Sequence, residues 1–349
     1  MIMLSKRIIA AALIAISIRP LLRQLFLLNT GSLDESIGFV PLLSTEELAS
    51  HVKGKRALLI GGTRGVGYGT ALALAKAGAH VTVVGRSANS GSKAVSAIQA
   101  AVSSDAKVDF ISGDIGTVCN SMELIQKIEE SGTRYDYAVV SAATFPDWTK
   151  PLQNEDGVDK SFGIGAVGRF LMYRNMHSFM NDHSRILNVM ASEGKLPVRM
   201  WDRDLASGKR NVTGLVDGIL NFALGNEIMI DSLYKFDDHY AKGSFTMMST
   251  HPGMLKTDLH RGQGLAFDII EGVFVGLMGV SEETAGVRQT SNLLAAKLHK
   301  NELSYVDQFG FGRLRDEVSA SFVDEQAEWL WSFLTTLERK SRMCGNDYQ

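Results

Sequence analysis

Short apolar runs recur along the chain at 57–60, 81–84, 108–111, 138–141, 186–190 and 245–250, with a weaker one at 304–306. Longer stretches of helical pattern separate them. Two examples are 68–77, closed by Gly78 in the position just past a helix end, and 122–130, followed by Ser131-Gly132. Runs this short between helices read as buried strands, and their alternation predicts a parallel sheet joined by right-handed crossovers. No repeat or low-complexity tract breaks the order.

The ends of the chain read differently. Residues 8–18, IIAAALIAISI, follow Lys6 and Arg7, and Arg19, Pro20 and Arg23 interrupt the apolar pattern before LFLL at 25–28. The first run alone is too short to cross a bilayer, and the longer stretch can cross or lie in one only if the arginines reach the interface. No acidic residue precedes Asp34. The expectation for residues 1–30 is a hydrophobic membrane anchor or targeting segment, with a cleaved presequence and a helix packed on the domain as the alternatives. Residues 31–53 read as a linker ending in a short helix that starts at Ser44-Thr45-Glu46-Glu47, residues 54–336 as the main domain, and 337–349 as a polar tail.

With 349 residues, 45% of them hydrophobic, the chain can bury one large core. A formal net charge of -2 and no basic run interleaved with aromatics exclude nucleic acid as the expected partner. Cys119 and Cys344 fall in no metal-binding or redox spacing, so neither a metal site nor a disulfide is expected and a reducing compartment is inferred.

Directly after the first strand stands GGTRGVG, with Gly61, Gly65 and Gly67 spaced as GxxxGxG and Thr63, Arg64 and Val66 between them. Placed between a strand and a helix, such glycines allow a tight turn, close approach of backbone to a pyrophosphate, and helix-to-strand packing. This identifies the fold class as α/β, a Rossmann-type doubly wound parallel sheet with helices on both faces. At the end of the second strand, where an NAD site places an acid on the ribose, the chain has Arg86 and Ser87. Two arginines and no carboxylate predict NADP(H) as cofactor.

In order and spacing these landmarks resemble the short-chain dehydrogenase/reductase family over nearly all of 54–336. Asp114 and Ile115 after the third strand resemble its adenine-contacting site. Ser141, Ala142 and Ala143 stand in its Asn-Asn-Ala-Gly turn, and Pro252, Gly253 and Thr257 in the segment beside the nicotinamide. The stretch 281–286 and the helix with Trp329 and Trp331 are similar to its C-terminal part.

The resemblance also implies a Tyr-x-x-x-Lys pair, a Ser and an Asn that supply and relay a proton. None of the eight tyrosines has a Lys four residues on, and no Tyr lies between Tyr173 and Tyr234, where the catalytic one belongs. Gly165 stands in the Asn position and Ala191 in that of the Ser, with Ser192 one residue later. The candidates for substituted chemistry are Ser192, Arg199 and Asp202, with Asp204 nearby. Tyr234/Lys235 and Tyr240/Lys242 are poorer substitutes, because neither pair has the required spacing. Two functions follow. One is an NADP(H)-dependent oxidoreductase acting on an apolar carbonyl compound or alcohol, a bulky one if 262–280 is a substrate cover rather than a surface dipping into a membrane or an ordinary buried helix; the other is a catalytically inactive NADP(H)-binding sensor or scaffold. The N-terminus implies association with a membrane of the endoplasmic reticulum or an organelle. The helical stretches 157–180 and 213–235 offer a homodimer face, or simply core.

Overall fold

The computed structural model describes residues 33–102, 106–144, 153–190, 198–253, 255–257, 275–276, 279–314, 320–341 and 344. An eight-stranded sheet runs through it: β1 Arg56–Ile60, β2 His80–Gly85, β3 Val108–Ser112, β4 Tyr135–Val140, β5 Met180–Val189, β6 Thr246–Thr250, β7 Ser304–Val306 and β8 Gly312–Arg313. Their order is β3-β2-β1-β4-β5-β6-β7-β8, parallel throughout except for the antiparallel β7–β8 pair. Each of the seven expected runs falls on a strand, with only Ser141, Met190 and Phe245 lying one residue beyond it; β8, only two residues long, carries no apolar period to announce it.

Successive strand residues point to opposite faces. Leu58 and Ile60 enter one core, with Ala138, Val140 and Ile186, while Ala57 and Leu59 enter the other with Val83, Val139 and Leu187. Strands buried on both faces need helices on both. The second core is covered by α1 Thr45–Val52, α2 Gly65–Lys76 and the later helix α7 Glu282–Ala295. Over the first lie α4 Val118–Glu130, α5 Arg169–Asn175, α6 Leu215–Phe236 and α8 Ala320–Lys340, and α3 Ala88–Ala100 packs on β2 and β3. α1 begins where the sequence placed it: Ser44 and Glu47 bond reciprocally in a capping box. α2 and α7 meet backbone to backbone, since a Cβ on Gly69 would come within 1.8 Å of the Glu282 carbonyl oxygen and one on Gly286 within 2.0 Å of Gly69 C.

The two cysteines correct an expectation. Cys119, second residue of α4, and Cys344, beyond α8, are joined as a disulfide with Cα atoms 5.4 Å apart. Their separation of 225 residues explains why no spacing rule revealed the bond. Disulfides persist in oxidising surroundings, so the inference of a reducing compartment is withdrawn. Cys344→Ser should lower unfolding free energy by about 2–5 kcal/mol, and reducing agent should do the same to the wild-type chain but not to the variant. Denaturant melts with and without reductant check this.

The N-terminal segment up to residue 32 lies outside the described residues, as does most of the stretch 262–280, including Phe267 and Phe274. Among the described residues no helix is long and apolar enough to cross a membrane.

Candidate functional site

In a doubly wound sheet the strand order reverses between β1 and β4, leaving a crevice at the carboxyl ends of the strands. A cleft of about 500 Å³ opens there, lined from the β1–α2 loop by Gly61, Thr63, Arg64, Gly65, Val66 and Gly67. Arg86, Ser87 and Ser90 line it after β2, Asp114 and Ile115 after β3, Ser141, Ala142 and Ala143 after β4, and Thr257 with Lys256 after β6. The volume lies within the range of small-molecule sites.

Two glycines in the loop have distinct geometric reasons. Gly61 has φ +91° and a Cβ there would lie 2.5 Å from Ala142 N, so the loop can pass the end of β4 only without a side chain. Gly65 has φ +64°, and its missing Cβ would meet only Thr257 Cγ2 at 3.9 Å; it is small toward the cleft itself. α2 starts at this residue, so its first N–H groups point at the space and favour an anion. One is already engaged: Gly65 N–H donates to Glu282 Oε1 at 2.6 Å. Gly85 is required because a Cβ would lie 2.5 Å from Thr63 Cγ2.

At the end of β2 both cations are exposed at the rim, Arg64 as the residue before α2 and Arg86 just past Gly85. Of the described residues lining the cleft, only Asp114 and Glu282 are carboxylates, and neither follows β2. Ser87 has a structural task besides: its hydroxyl accepts from Ser90 N–H at 3.2 Å and caps α3. A second helix N-terminus therefore faces the same rim as the two arginines. Pro252 and Gly253 do not line the cleft; Gly253 N–H donates to His251 Nδ1 at 3.2 Å, at φ +79°.

Behind Ala142 lies a buried polar network that composition and spacing did not announce. Arg169, fully buried on α5, donates from Nη2 to the Ala142 carbonyl at 2.9 Å and from Nη1 to Asn188 Oδ1 at 2.5 Å. Tyr173 donates to the same Asn188 oxygen at 2.7 Å. Asn188 Nδ2 donates to Asn226 Oδ1 at 2.8 Å and to Ser249 Oγ at 3.0 Å. Asn226 in turn donates to the Gly165 carbonyl at 2.7 Å. Among the described residues no carboxylate lies within ion-pair reach of Arg169, and burial holds its guanidinium below the usual range. Burial likewise pushes the Tyr173 hydroxyl up to about 12, so it remains a donor at neutral pH.

Gly165 sits within a π-helical turn, Gly163–Gly168, leading into α5. A Cβ at Gly165 would lie 2.5 Å from the Phe222 ring, so Phe222 fills the volume that an Asn side chain would need. α6 covers the interval where the family's Tyr and Lys belong, and it contributes Phe222 and Asn226 here instead.

The sequence-based catalytic candidates are scattered. Ser192 lies outside the described residues. Arg199 is exposed in a single turn, Val198–Met200. Asp202 caps the short helix Arg203–Ala206, accepting from Asp204 N–H at 2.8 Å, and meets Arg210 Nη2 at 2.7 Å. That bond, with the cap, holds its carboxyl below the usual range. Neither Arg199 nor Asp202 lines the cleft. The tyrosine alternatives are committed elsewhere: Tyr234 OH accepts from Met247 N–H at 3.2 Å, and Tyr240 OH donates to the Tyr173 carbonyl at 3.0 Å. Lys235 pairs with Asp324 and Lys242 with Asp238.

Residues 55–231, just over half of the chain, match the short chain dehydrogenase family. Mouse retinol dehydrogenase 13 is 25% identical over 303 residues, covering 80% of this chain and 83% of its own. Human polyprenol dehydrogenase is 28% identical over 116 residues, 33% of this chain; the match spans about a third (34%) of that relative's length. Among solved structures, a short-chain dehydrogenase/reductase from Serratia marcescens superposes with a TM-score of 0.54 at 18% identity, covering 74% of this chain and 98% of its own. One from Burkholderia cenocepacia in complex with NADP gives 0.50 at 19% identity, covering 68% and 89%.

Proposed function

Because the chain belongs to the short chain dehydrogenase family, we propose that it is an NADP(H)-dependent oxidoreductase acting on an apolar carbonyl compound or alcohol, with acid and base groups other than the family's Tyr and Lys. The observation that carries the cofactor choice is the rim after β2, where Arg64, Arg86 and the capped start of α3 converge without a carboxylate. A 2′-phosphate suits that set; a bare ribose diol does not use it. The glycine loop and the N-terminus of α2 suit the pyrophosphate.

When bound, the nicotinamide nucleotide supplies or accepts a hydride, and the chain must position the substrate, exclude water and move one proton. In the usual arrangement an Asn at the position of Gly165 supports the proton path. Here Phe222 fills that volume and Asn226 takes the Gly165 carbonyl, so the path runs elsewhere. With Asp202 engaged as a cap, the proton is assigned to the segment after β5, where Ser192 follows. Retinol and polyprenol, named in two relatives, are long apolar alcohols, and this class is the one proposed for the substrate. Membrane attachment through residues 1–30, with the domain on an oxidising side, agrees with an apolar substrate and with the disulfide.

The test is turnover: NADPH mixed with the full chain and a panel of apolar ketones, aldehydes and polyisoprenoid aldehydes, followed by loss of the reduced nucleotide's absorbance. Oxidation that stops when Ser192 is replaced by Ala is the expected result. Tight nucleotide binding with no oxidation across the panel would favour the inactive sensor or scaffold instead.

A further inference from the structure

Five large apolar side chains are about half exposed among the described residues, and four of them lie on one corner: Leu33, Phe39, Leu42 and Leu314. Single exposed apolar residues are ordinary, whereas a cluster marks a surface with a partner. The corner is built by residues 33–40 running along β8. Leu33 pairs with Arg313, and Phe39 with Phe311, their rings 4.9 Å apart. Leu314 directly follows Arg313 and Leu42 comes three residues after Phe39.

These residues are held outward by a rigid frame. Asp34 N–H donates to the Gly312 carbonyl at 2.9 Å, Gly312 N–H to the Gly38 carbonyl at 2.8 Å and Val40 N–H to the Gly310 carbonyl at 2.7 Å. Arg288 Nη1 adds a bond to the Val40 carbonyl at 2.8 Å, and Asp34 meets His299 Nε2 at 3.0 Å. Ile37 and Val40 of the same arm are buried, so the arm has already satisfied its inward face. What the arm leaves outside is Leu33 and Phe39, with Glu35 and Ser36 exposed between them.

We propose that this corner lies against a lipid bilayer. The sequence immediately before it supplies the argument for that occupant. Residues 8–18 and 25–28 are apolar, and no acid precedes Asp34. From Leu28 to Leu33 the chain can reach at most about 18 Å, so a segment seated at the interface keeps Leu33 within that distance of it. The inference rests on the membrane attachment proposed above and adds which face of the folded domain meets the lipid. Residues 33–40 carry no base and Glu35 is exposed among them, so the contact gains nothing from anionic lipid and neutral lipid suffices to support it. The corner also adjoins the carboxyl end of β6: a Cβ on Gly253 would lie 2.6 Å from Gln308 Oε1, in the loop between β7 and β8. An apolar compound leaving the bilayer would thus enter beside the strand ends.

The test uses the full chain with a single environment-sensitive fluorophore. One variant carries it at Leu42→Cys, and a control at Lys93→Cys on α3, which packs on β2 and β3 at the opposite edge of the sheet. The native cysteines are joined and do not take the label. Each is mixed with phosphatidylcholine vesicles containing nitroxide-labelled lipid, and flotation is scored in parallel. Flotation with about twofold or stronger quenching at 42 and none at 93 is the expected result. Flotation with position 42 unquenched would overturn the docking face and leave the attachment standing. Absence of flotation would overturn both. A fluorescence change at 42 that follows protein concentration without lipid would assign the corner to a second copy of the chain and overturn the proposal.

Discussion

Replacing Arg86 by Asp should reverse the nucleotide preference of the cleft. In the wild-type chain Arg86 and Arg64 stand at the rim after β2, and the start of α3 faces the same place. The variant removes a charge-assisted donor to a 2′-phosphate and puts a like charge beside it. The expected loss is on the order of 3 kcal/mol, roughly 100-fold in NADPH affinity. NADH affinity should rise, because a carboxylate at the end of the second strand accepts from both ribose hydroxyls. The Arg86 residue is exposed, so the melting temperature without nucleotide should stay close to wild type. Titrations of both nucleotides against both proteins read the change. NADPH affinity left intact in the variant would show that the rim does not hold the phosphate.

Arg169→Met should cost stability and disturb the cleft together. The guanidinium is fully buried and bridges the Ala142 carbonyl and Asn188. Met fills part of the volume but leaves the Ala142 carbonyl without that donor, while Asn188 Oδ1 retains Tyr173. A loss of about 2–4 kcal/mol in unfolding free energy is expected from denaturant melts. Nucleotide affinity should fall as well, since Ala142 lines the cleft and Arg169 fixes its backbone. The same network gives a pH signature. The Tyr173 hydroxyl is pushed up to about 12 by burial, from 10.0 in the unfolded chain. Its raised value in the folded state contributes stability that is complete below pH 10 and is lost as pH rises toward about 12, because the unfolded chain releases the proton first.

Much of this fold was legible because strands buried on both faces must be continuously apolar. Leu58 and Ile60 serve one core and Ala57 and Leu59 the other, and nothing polar interrupts the run. The glycine loop was legible for a different reason: Gly61 and Gly65 occupy positive φ, which few other residues adopt. Where local pattern carried no information, reading failed. α3 buries only Gly91, Ala94 and Ile98, a sparse stripe that hides its role in bringing a helix start to the rim. β8 has two residues and is placed by pairing with β7 on one side and by bridges from the arm at 33–40 on the other. The Cys119–Cys344 bond joins residues 225 apart and exists only once α8 lies near α4.

The candidate site divides along the same line. Residues tied to backbone geometry or rim charge, such as Gly61, Gly65, Gly67 and Arg86, could be located from spacing, and they do line the cleft. Asp202 could not be told from a proton carrier by its identity alone, because a helix cap and an acid catalyst use the same side chain; its bonds to Asp204 N–H and Arg210 decide what it is occupied with. No spacing rule singles out Arg169 in the sequence. Its burial follows from Asn188 and Asn226, which converge from β5 and α6.

The most direct test of the central claim is a calorimetric titration of the full chain, solubilised in mild detergent, with NADPH and with NADH. One site per chain is expected, with NADPH bound at least about 10-fold more tightly than NADH. Equal affinity for the two, or heat from neither, would contradict it.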